Sequence, residues 1–212
     1  MAKGEVYISV DVEADGPIPG PYSMLSFGMS LCGIAGGHGF EPVDPAETTF
    51  YAELRPISDA YVPEALAVSG LDRDHLAAEG REPGEAMGAA SSWVTAAATA
   101  ADASPVLVAY PLGFDWMFLY WYWMRFTEAG SPFGHSRHLD LKSVYATKAR
   151  TSITRSTRRR MPAHLLPDRP HTHNALDDAI EQAELFQHLV RWQGAHASGA
   201  HAPLGDSGTG SP

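Results

Sequence analysis

The chain has 212 residues, of which 44% are hydrophobic and 19% charged, a balance typical of a globular domain and not of a disordered segment. Its formal net charge of -10 argues against a protein that coats nucleic acid electrostatically. No apolar run approaches the roughly 20 residues of a membrane helix, and no signal peptide is evident, so a cytoplasmic location away from membranes is expected.

Strand-like segments open the chain, and periodicity changes to helical further on. Residues 5–13, 22–34 and 48–56 predict an antiparallel meander. The rest predicts a short helix at 63–69 closed by Gly70, an Ala-rich helix at 84–102, a buried strand at 106–110, a helix at 114–126 that is apolar all round and hence buried, a strand and helix within 138–149, and a helix at 174–192.

These elements predict one mixed α/β domain over residues 4–193. Residues 194–212 are rich in Gly, Ala and Ser without large apolar periodicity, which predicts a disordered tail. The single Cys32 allows no internal disulfide and no cysteine-rich zinc site, and it is interpreted as a small buried hydrophobe.

The first strand places two acids side by side in "YISVDVEADG". Because side chains alternate along a strand, Asp11 and Glu13 share one face and Ile8, Val10 and Val12 the other. Their charges repel unless water or a cation intervenes. A half-exposed strand with a solvated polar face is the plainer interpretation of these two residues alone.

Further acids stand where helices begin. Asp115 opens the apolar helix directly after the buried strand, and Asp177 and Asp178 follow His173 at the start of the last helix. The helix macrodipole favours acids in a first turn, so each one has an ordinary explanation when it is considered singly.

Taken together, Asp11-x-Glu13, the Asp in "GFDWMFL" and His173-x4-Asp178 in "HNALDDA" resemble the three motifs of the DEDDh-type 3′-5′ exonucleases. This family includes proofreading exonucleases, oligoribonuclease and ribonuclease T. The resemblance extends from Tyr7 to Phe186. One departure is "AYPLGFD", where many relatives carry a His-Asn pair before the Phe-Asp.

The resemblance implies a ribonuclease H-like mixed sheet, three antiparallel strands extended by parallel ones, with helices on both faces. It further implies that two Mg²⁺ or Mn²⁺ ions are held by Asp11, Glu13, Asp115 and Asp178, and that His173 is the general base. Two divalent ions can stabilise both the attacking and the leaving oxygen of a phosphodiester displacement.

Residues five apart on one helix point about 140° apart, at 3.6 residues per turn, so His173 and Asp178 would not share a helix face. His173 is therefore predicted to lie in the loop that precedes the helix. Substrate contacts carried over from the family are the backbone at Ala14 and Asp15 and the apolar pair Met24 and Leu25; core packing of that pair is the equal alternative.

The expected function is metal-dependent removal of nucleoside 5′-monophosphates from single-stranded 3′ ends of RNA or DNA. The alternatives are a nuclease restricted to short oligonucleotides and a non-catalytic binding module. Relatives are often dimers, so a homodimer is left open. The alternating acids are explained if a cation lies between them.

Several other patterns carry less weight. A zinc site at His171 and His173 is disfavoured because no cysteine or acidic partner has zinc-finger spacing. The "GDSG" at residues 205–208 lies in the predicted tail, and "GIAGGHG" predicts a hairpin loop. The aromatic residues of "WMFLYWYW", residues 116–123, could stack on bases, but they are interpreted as core. Seven of the fifteen Lys and Arg residues fall within 142–160 with no acid among them, and that segment is either a flexible surface loop or a substrate-contacting arm.

Overall fold

The protein, described by a computed structural model over residues 3–195, is built on a six-stranded mixed sheet. The strands are β1 (Gly4–Ala14), β2 (Met24–Gly36), β3 (Gly39–Pro42), β4 (Thr49–Glu53), β5 (Ala103–Ala109) and β6 (His138–Asp140). The helices are α1 (Pro63–Ser69), α2 (Arg73–Glu79), α3 (Pro83–Ala100), α4 (Leu112–Phe126), α5 (Leu141–Ala149) and α6 (Ala175–Arg191). Three 3₁₀ turns lie between α5 and α6, at Ile153–Arg155, Arg158–Arg160 and Ala163–Leu165.

The sheet combines the predicted meander with a parallel extension. The strand order is β3-β2-β1-β5-β6, with β4 also paired to β2. β1 and β2 are antiparallel, as are β2 and its partners β3 and β4, whereas β1–β5 and β5–β6 are parallel. The predicted α/β fold class is therefore confirmed, with β1 at the centre of the sheet.

Two hydrophobic clusters cover the two faces of the sheet. One contains Ile8, Val10 and Val12 of β1 together with the buried residues of α3 and α4. The other packs α5 and α6 against Cys32 and Val108. The alternation predicted for β1 thus separates a fully apolar face from the face that carries Asp11 and Glu13.

The predicted elements differ from the structure at three places. The "GIAGGHG" hairpin is confirmed, but it leads into the short strand β3, which was not predicted. α2 was also missed; it begins after Asp72, whose carboxylate accepts hydrogen bonds from Asp74 N and His75 N. The prediction that the 114–126 helix is buried all round is wrong on one side, because Met124 is 56% exposed.

The predicted bounds of the domain and of the C-terminal tail stay a prediction. α6 ends at Arg191, and nearly all of the predicted tail, including "GDSG", lies outside the described residues. Within residues 3–195, no helix combines the length and apolarity needed to cross a bilayer. Cys32 is fully buried, as predicted.

α6 crosses β2 at Gly28, which pairs with Asp11 on β1. A Cβ on Gly28 would lie 2.3 Å from the Ala175 carbonyl oxygen and 2.5 Å from Leu176 Cα, both in the first turn of α6. A side chain at this position would therefore push away the turn that carries Asp178.

We expect Gly28→Ala to lower the free energy of unfolding by about 1 to 3 kcal/mol, the usual cost of overpacking. Urea denaturation followed by circular dichroism would measure it. Gly88→Ala in α3 is the matched control, because a Cβ there meets nothing within 4 Å. The control should gain up to about 1 kcal/mol, since Ala is the better helix former. A wild-type urea midpoint for Gly28→Ala would contradict the close approach.

Candidate active site

The carboxyl end of β1 brings together acids that are far apart in the sequence. Carboxylate oxygens of Asp11, Glu13 and Asp178 all lie within 4.8 Å of one another. Asp11 and Glu13 are half-buried on β1, and Asp178 is fully buried in the first turn of α6. Three like charges so close together are unfavourable unless they are neutralised, protonated or bound to a cation.

Asp115 lies beside these three acids but is not among the carboxylates that lie within 4.8 Å of one another. It is buried in the first turn of α4, and its Oδ1 accepts a hydrogen bond of 3.0 Å from the backbone N–H of Val12, between the two strand acids. α4 thus presents its first-turn acid to β1 from the face opposite α6.

The loop before α6 wraps around Asp178. The backbone N–H groups of Thr172 and His173 each donate a hydrogen bond of 2.9 Å to its carboxylate. His173 reaches this geometry with a left-handed backbone (φ 56°), and the Asn174 side chain caps α6 by accepting from Leu176 N and Asp177 N. His173 therefore lies in the loop, as its spacing from Asp178 predicted, and its imidazole is exposed.

Burial and mutual repulsion raise the pKa values of three of the acids. Burial first, and then the charges of Asp115, Glu13 and Asp178, raise the pKa of Asp11 well above its ordinary value, although Arg158 opposes the shift. Burial and the charge of Asp178 raise the pKa of Glu13 to about 7. Burial raises the pKa of Asp115 to about 8, against the backbone hydrogen bonds that favour its ionised form.

Gln182 links Asp11 to the end of β5. Its side chain is fully buried; Nε2 donates to Asp11 Oδ1 at 2.7 Å, and Oε1 accepts from the backbone N–H of Tyr110 at 2.6 Å. Both ends of the amide are occupied, so its orientation is fixed and a donor always faces Asp11. One oxygen of Asp11 is thereby engaged, which leaves Oδ2 free to bind another group.

A second set of polar contacts lies behind Asp178. His171 Nδ1 is 3.0 Å from Asp178 Oδ1 and 3.6 Å from Glu181 Oε2. Glu181 in turn forms an ion pair with Arg158, whose guanidinium lies 5.2 Å from the centroid of the Tyr110 ring. Ligand atoms of His171, His173 and Asp178 also lie within 4.8 Å of one another, so these imidazoles do have an acidic partner in space.

An open apolar pocket of about 470 Å³ adjoins Glu13. It is lined by Val12, Glu13, Ala14, Gly16, Pro17, Val62, Ala65, Val68 and Phe114. Its volume is in the usual range for small-molecule sites. The exposed apolar surface of Phe114 and Val68, at 37% and 53%, belongs to this pocket.

The four predicted substrate contacts are placed differently from one another. Ala14 lines the pocket. The backbone of Asp15 is engaged within the protein, since its N–H donates to the Ser23 carbonyl at 3.0 Å and its carbonyl accepts from Val62 N at 2.7 Å. Met24 and Leu25 have no exposed surface, which is what the alternative of core packing predicts. Their role as substrate contacts stays a prediction, and in this conformation only Ala14 is at the pocket wall.

Sequence reasoning gave no role to Gln182, His171 or Phe114. Phe114 immediately precedes Asp115 in the first turn of α4, where successive side chains point about 100° apart, so no sequence pattern indicated that Phe114 lines a pocket. Gln182 follows Asp178 by four positions on α6, which places both on the face toward β1. Nothing in the sequence pairs Gln182 with Tyr110.

Similar proteins were found both by sequence and by structure, although no family profile matches the chain. The Escherichia coli 3′-5′ DNA exonuclease Cap18 is 36% identical over 185 residues, which are 86% of this chain and 90% of that protein. E. coli exonuclease I in complex with a dT13 oligonucleotide superposes with a TM-score of 0.64 at 14% identity over 89% of this chain. The chain spans only 41% of exonuclease I. The nuclease domain of 3′hExo, a DEDDh family member bound to rAMP, gives 0.62 at 13% identity, over 85% of this chain and 89% of that domain.

The mixed sheet with acids at the end of its central strand defines a ribonuclease H-like fold. The 36% identity with Cap18 over 86% of the chain narrows the assignment from a fold to one family of enzymes. The chain belongs to the DEDDh-type 3′-5′ exonuclease family, a family of hydrolytic enzymes that act on nucleic acid, and the predicted resemblance is confirmed.

We expect Gln182→Met to reduce turnover of a 3′-terminal nucleotide at least tenfold, because Asp11 loses the donor that orients it. Gln187→Met is the matched control. Gln187 is a buried glutamine of the same helix whose Nε2 donates to the carbonyls of Cys32 and Val43 and touches none of the acids.

Both variants should lose about 1 to 3 kcal/mol of stability, since each leaves buried polar groups unpaired. Turnover per folded molecule, corrected by thermal melts, separates positioning from stability. Equal turnover in the two variants would remove Gln182 from the site.

Proposed function

We propose that the chain removes nucleotides from the 3′ end of single-stranded DNA by metal-assisted hydrolysis and releases nucleoside 5′-monophosphates. The observation that carries this proposal is the convergence of Asp11, Glu13 and Asp178 within 4.8 Å beside an open apolar pocket. DNA is proposed as the substrate because the E. coli relative Cap18 is named a DNA exonuclease.

The donor set fits two divalent ions such as Mg²⁺ or Mn²⁺. All of the converging groups are carboxylates, the hard oxygen ligands that these ions prefer. Burial, and then the negative charge of neighbouring acids, raise the pKa values of Asp11 and Glu13, so a bound cation would relieve part of that cost. Asp11, Glu13 and Asp178 would hold the ions, with the free oxygen of Asp115 alongside them. When bound, such ions stabilise charge on the attacking and leaving oxygens of the displacement.

The chain's own groups account for the other requirements of hydrolysis. The pocket beside Glu13 would take the terminal base against Phe114 and Val68, which places the last phosphodiester over the acids. His173 would accept the proton of the attacking water, since it is exposed beside Asp178 and histidine is the side chain that most often serves as a general base. The bond from phosphorus to the 3′ oxygen of the preceding nucleotide breaks, and that oxygen leaves with the shortened strand.

The direct test uses 5′-labelled single-stranded DNA and RNA of the same sequence, with Mn²⁺ or with EDTA. We expect a ladder of shortened DNA that EDTA abolishes, with nucleoside 5′-monophosphate as the product. Retention of the strand without products would support the binding module. Products from strands of a few nucleotides alone would support the short-oligonucleotide nuclease. A homodimer stays a prediction that sedimentation would decide.

Asp178→Asn should lower the rate at least about 100-fold, because even groups that only support metal ligands cost 10- to 100-fold when removed. Asp177→Asn is the matched control, because the Asp177 carboxylate is exposed on the same helix turn and should be dispensable. Calorimetric titration with Mn²⁺ should show weaker binding for Asp178→Asn only. The reverse order of effects would move the last motif by one residue.

His173→Ala should lower the rate by about 10² to 10⁴, the usual contribution of a general base. His171→Ala should cost about 10- to 100-fold, the usual effect of removing a group that supports a metal ligand, since His171 contacts Asp178. Mn²⁺ affinity should be unchanged in His173→Ala, which separates proton transfer from metal binding. A larger loss in His171→Ala than in His173→Ala would exchange the two roles.

A further inference from the structure

The basic segment between α5 and α6 is docked against the site and is not a free loop. Ser156 at its centre is fully buried; its Oγ donates to the Ser152 carbonyl at 2.9 Å, and its own carbonyl accepts the Tyr110 hydroxyl at 2.6 Å. The 3₁₀ turns Ile153–Arg155 and Arg158–Arg160 lie on either side of this anchor. We refer to residues 153–160 as the arginine segment.

Arg158 fixes the second turn of the arginine segment next to the acids. Its guanidinium pairs with Glu181, three residues after Asp178 on α6, and covers the ring of Tyr110. Tyr110 falls in "AYPLGFD", where the sequence departs from many relatives, and its backbone N–H holds Gln182 against Asp11. The segment, the departing motif and the acids are therefore one connected structure.

The other three arginines of the segment take no part in the contacts of Arg158 with Glu181 and Tyr110. Arg155, Arg159 and Arg160 are exposed, and among residues 3–195 none of them has a carboxylate oxygen within 4.0 Å. The anchor Arg158, in contrast, is committed to Glu181. A protein with a net charge of -10 would repel a polyanion at long range, so three arginines without acids between them form a local exception.

The position of the arginine segment relative to the pocket suggests what it binds. The apolar pocket is lined from β1, α1 and α4, whereas the segment contacts α6 and the end of β5. The two therefore flank the acids on different sides. A strand with its last base in the pocket and its last phosphodiester over the acids would leave toward the segment.

We propose that Arg155, Arg159 and Arg160 bind the phosphates of the strand upstream of the scissile bond and supply most of the affinity for long substrates. This proposal rests on the proposed function, because it takes the strand to be held at the acids. Arginine suits this role, since its planar guanidinium can bind phosphate in a bidentate manner.

The test compares a triple variant, Arg155→Gln, Arg159→Gln and Arg160→Gln, with a control of equal charge change, Lys3→Gln, Arg125→Gln and Arg191→Gln. The control residues are exposed and lie next to the ends of β1, α4 and α6 that are remote from the acids. Arg158 is left intact in both variants, so its contacts with Glu181 and Tyr110 are unchanged. Thermal melts verify that both variants fold.

The first readout is binding of a fluorescent dT12 strand in EDTA, measured by fluorescence anisotropy. The salt concentration is varied from about 50 to about 300 mM, because phosphate contacts make the affinity salt-dependent. Each phosphate contact on a single strand contributes about -0.7 to the slope of log K against log salt. The triple variant should therefore lose about 2 units of slope, and the control variant close to none. An unchanged slope in the triple variant would overturn the proposal.

The second readout is kcat/KM on dT12 and on the dinucleotide TpT, which has no phosphate upstream of its scissile bond. The triple variant should lose at least about tenfold on dT12 at low salt and remain within about twofold of wild type on TpT. Equal losses on both substrates would overturn the proposal. If the wild-type protein hydrolyses neither substrate, the proposed function fails, while the salt slope still decides the role of the arginine segment.

Discussion

The constraint on which this structure depends is the concentration of carboxylates at the end of its central strand. Asp11, Glu13 and Asp178 lie within 4.8 Å of one another, with Asp115 held beside them through Val12. Repulsion and burial make this arrangement costly for the folded protein alone, and the raised pKa values of Asp11, Glu13 and Asp115 express that cost. A fold keeps such a cluster only where the surroundings determine it strongly.

The surroundings do so with backbone groups and with two helix starts. Asp115 and Asp178 both lie in first turns, where the helix dipole favours a negative charge. The N–H groups of Val12, Thr172 and His173 point at these two carboxylates. Gly28 lets α6 approach the sheet closely, and Gln182 presents a donor to Asp11. Neutral donors hold the acids in place without cancelling the charge that a cation would meet.

The separation in sequence between interacting residues decides how much of the fold and the site could be predicted. The alternation of β1 and the separation of His173 from Asp178 are local, so both were predicted correctly as structure. The end of α4 that faces the pocket was mistaken for core, because composition cannot distinguish apolar residues that pack from those that line a groove. α1 illustrates the same difficulty: none of its residues is buried, yet Ala65 and Val68 line the pocket.

Contacts across the sheet were beyond sequence reasoning. Gln182 meets Asp11 across 171 positions, and Tyr110 meets Ser156 across 46 positions, and neither pair has a pattern of its own in the chain. β3 has four residues, and none of them is buried, so no apolar alternation marks it.

The charge distribution brings these observations together. A carboxylate cluster that binds cations needs negative charge, whereas a polyanionic strand needs positive charge on the protein. In this fold both kinds of charge lie close to α6. The protein separates them by committing one arginine, Arg158, to Glu181 and Tyr110, between the acids and the exposed arginines. Arg158 is only partly buried, and its charge lowers the pKa of Asp11, so it also offsets part of the negative charge of the acids. A partly exposed ion pair contributes little stability by itself, so the consequence of this pair is that it fixes the second turn of the arginine segment next to α6.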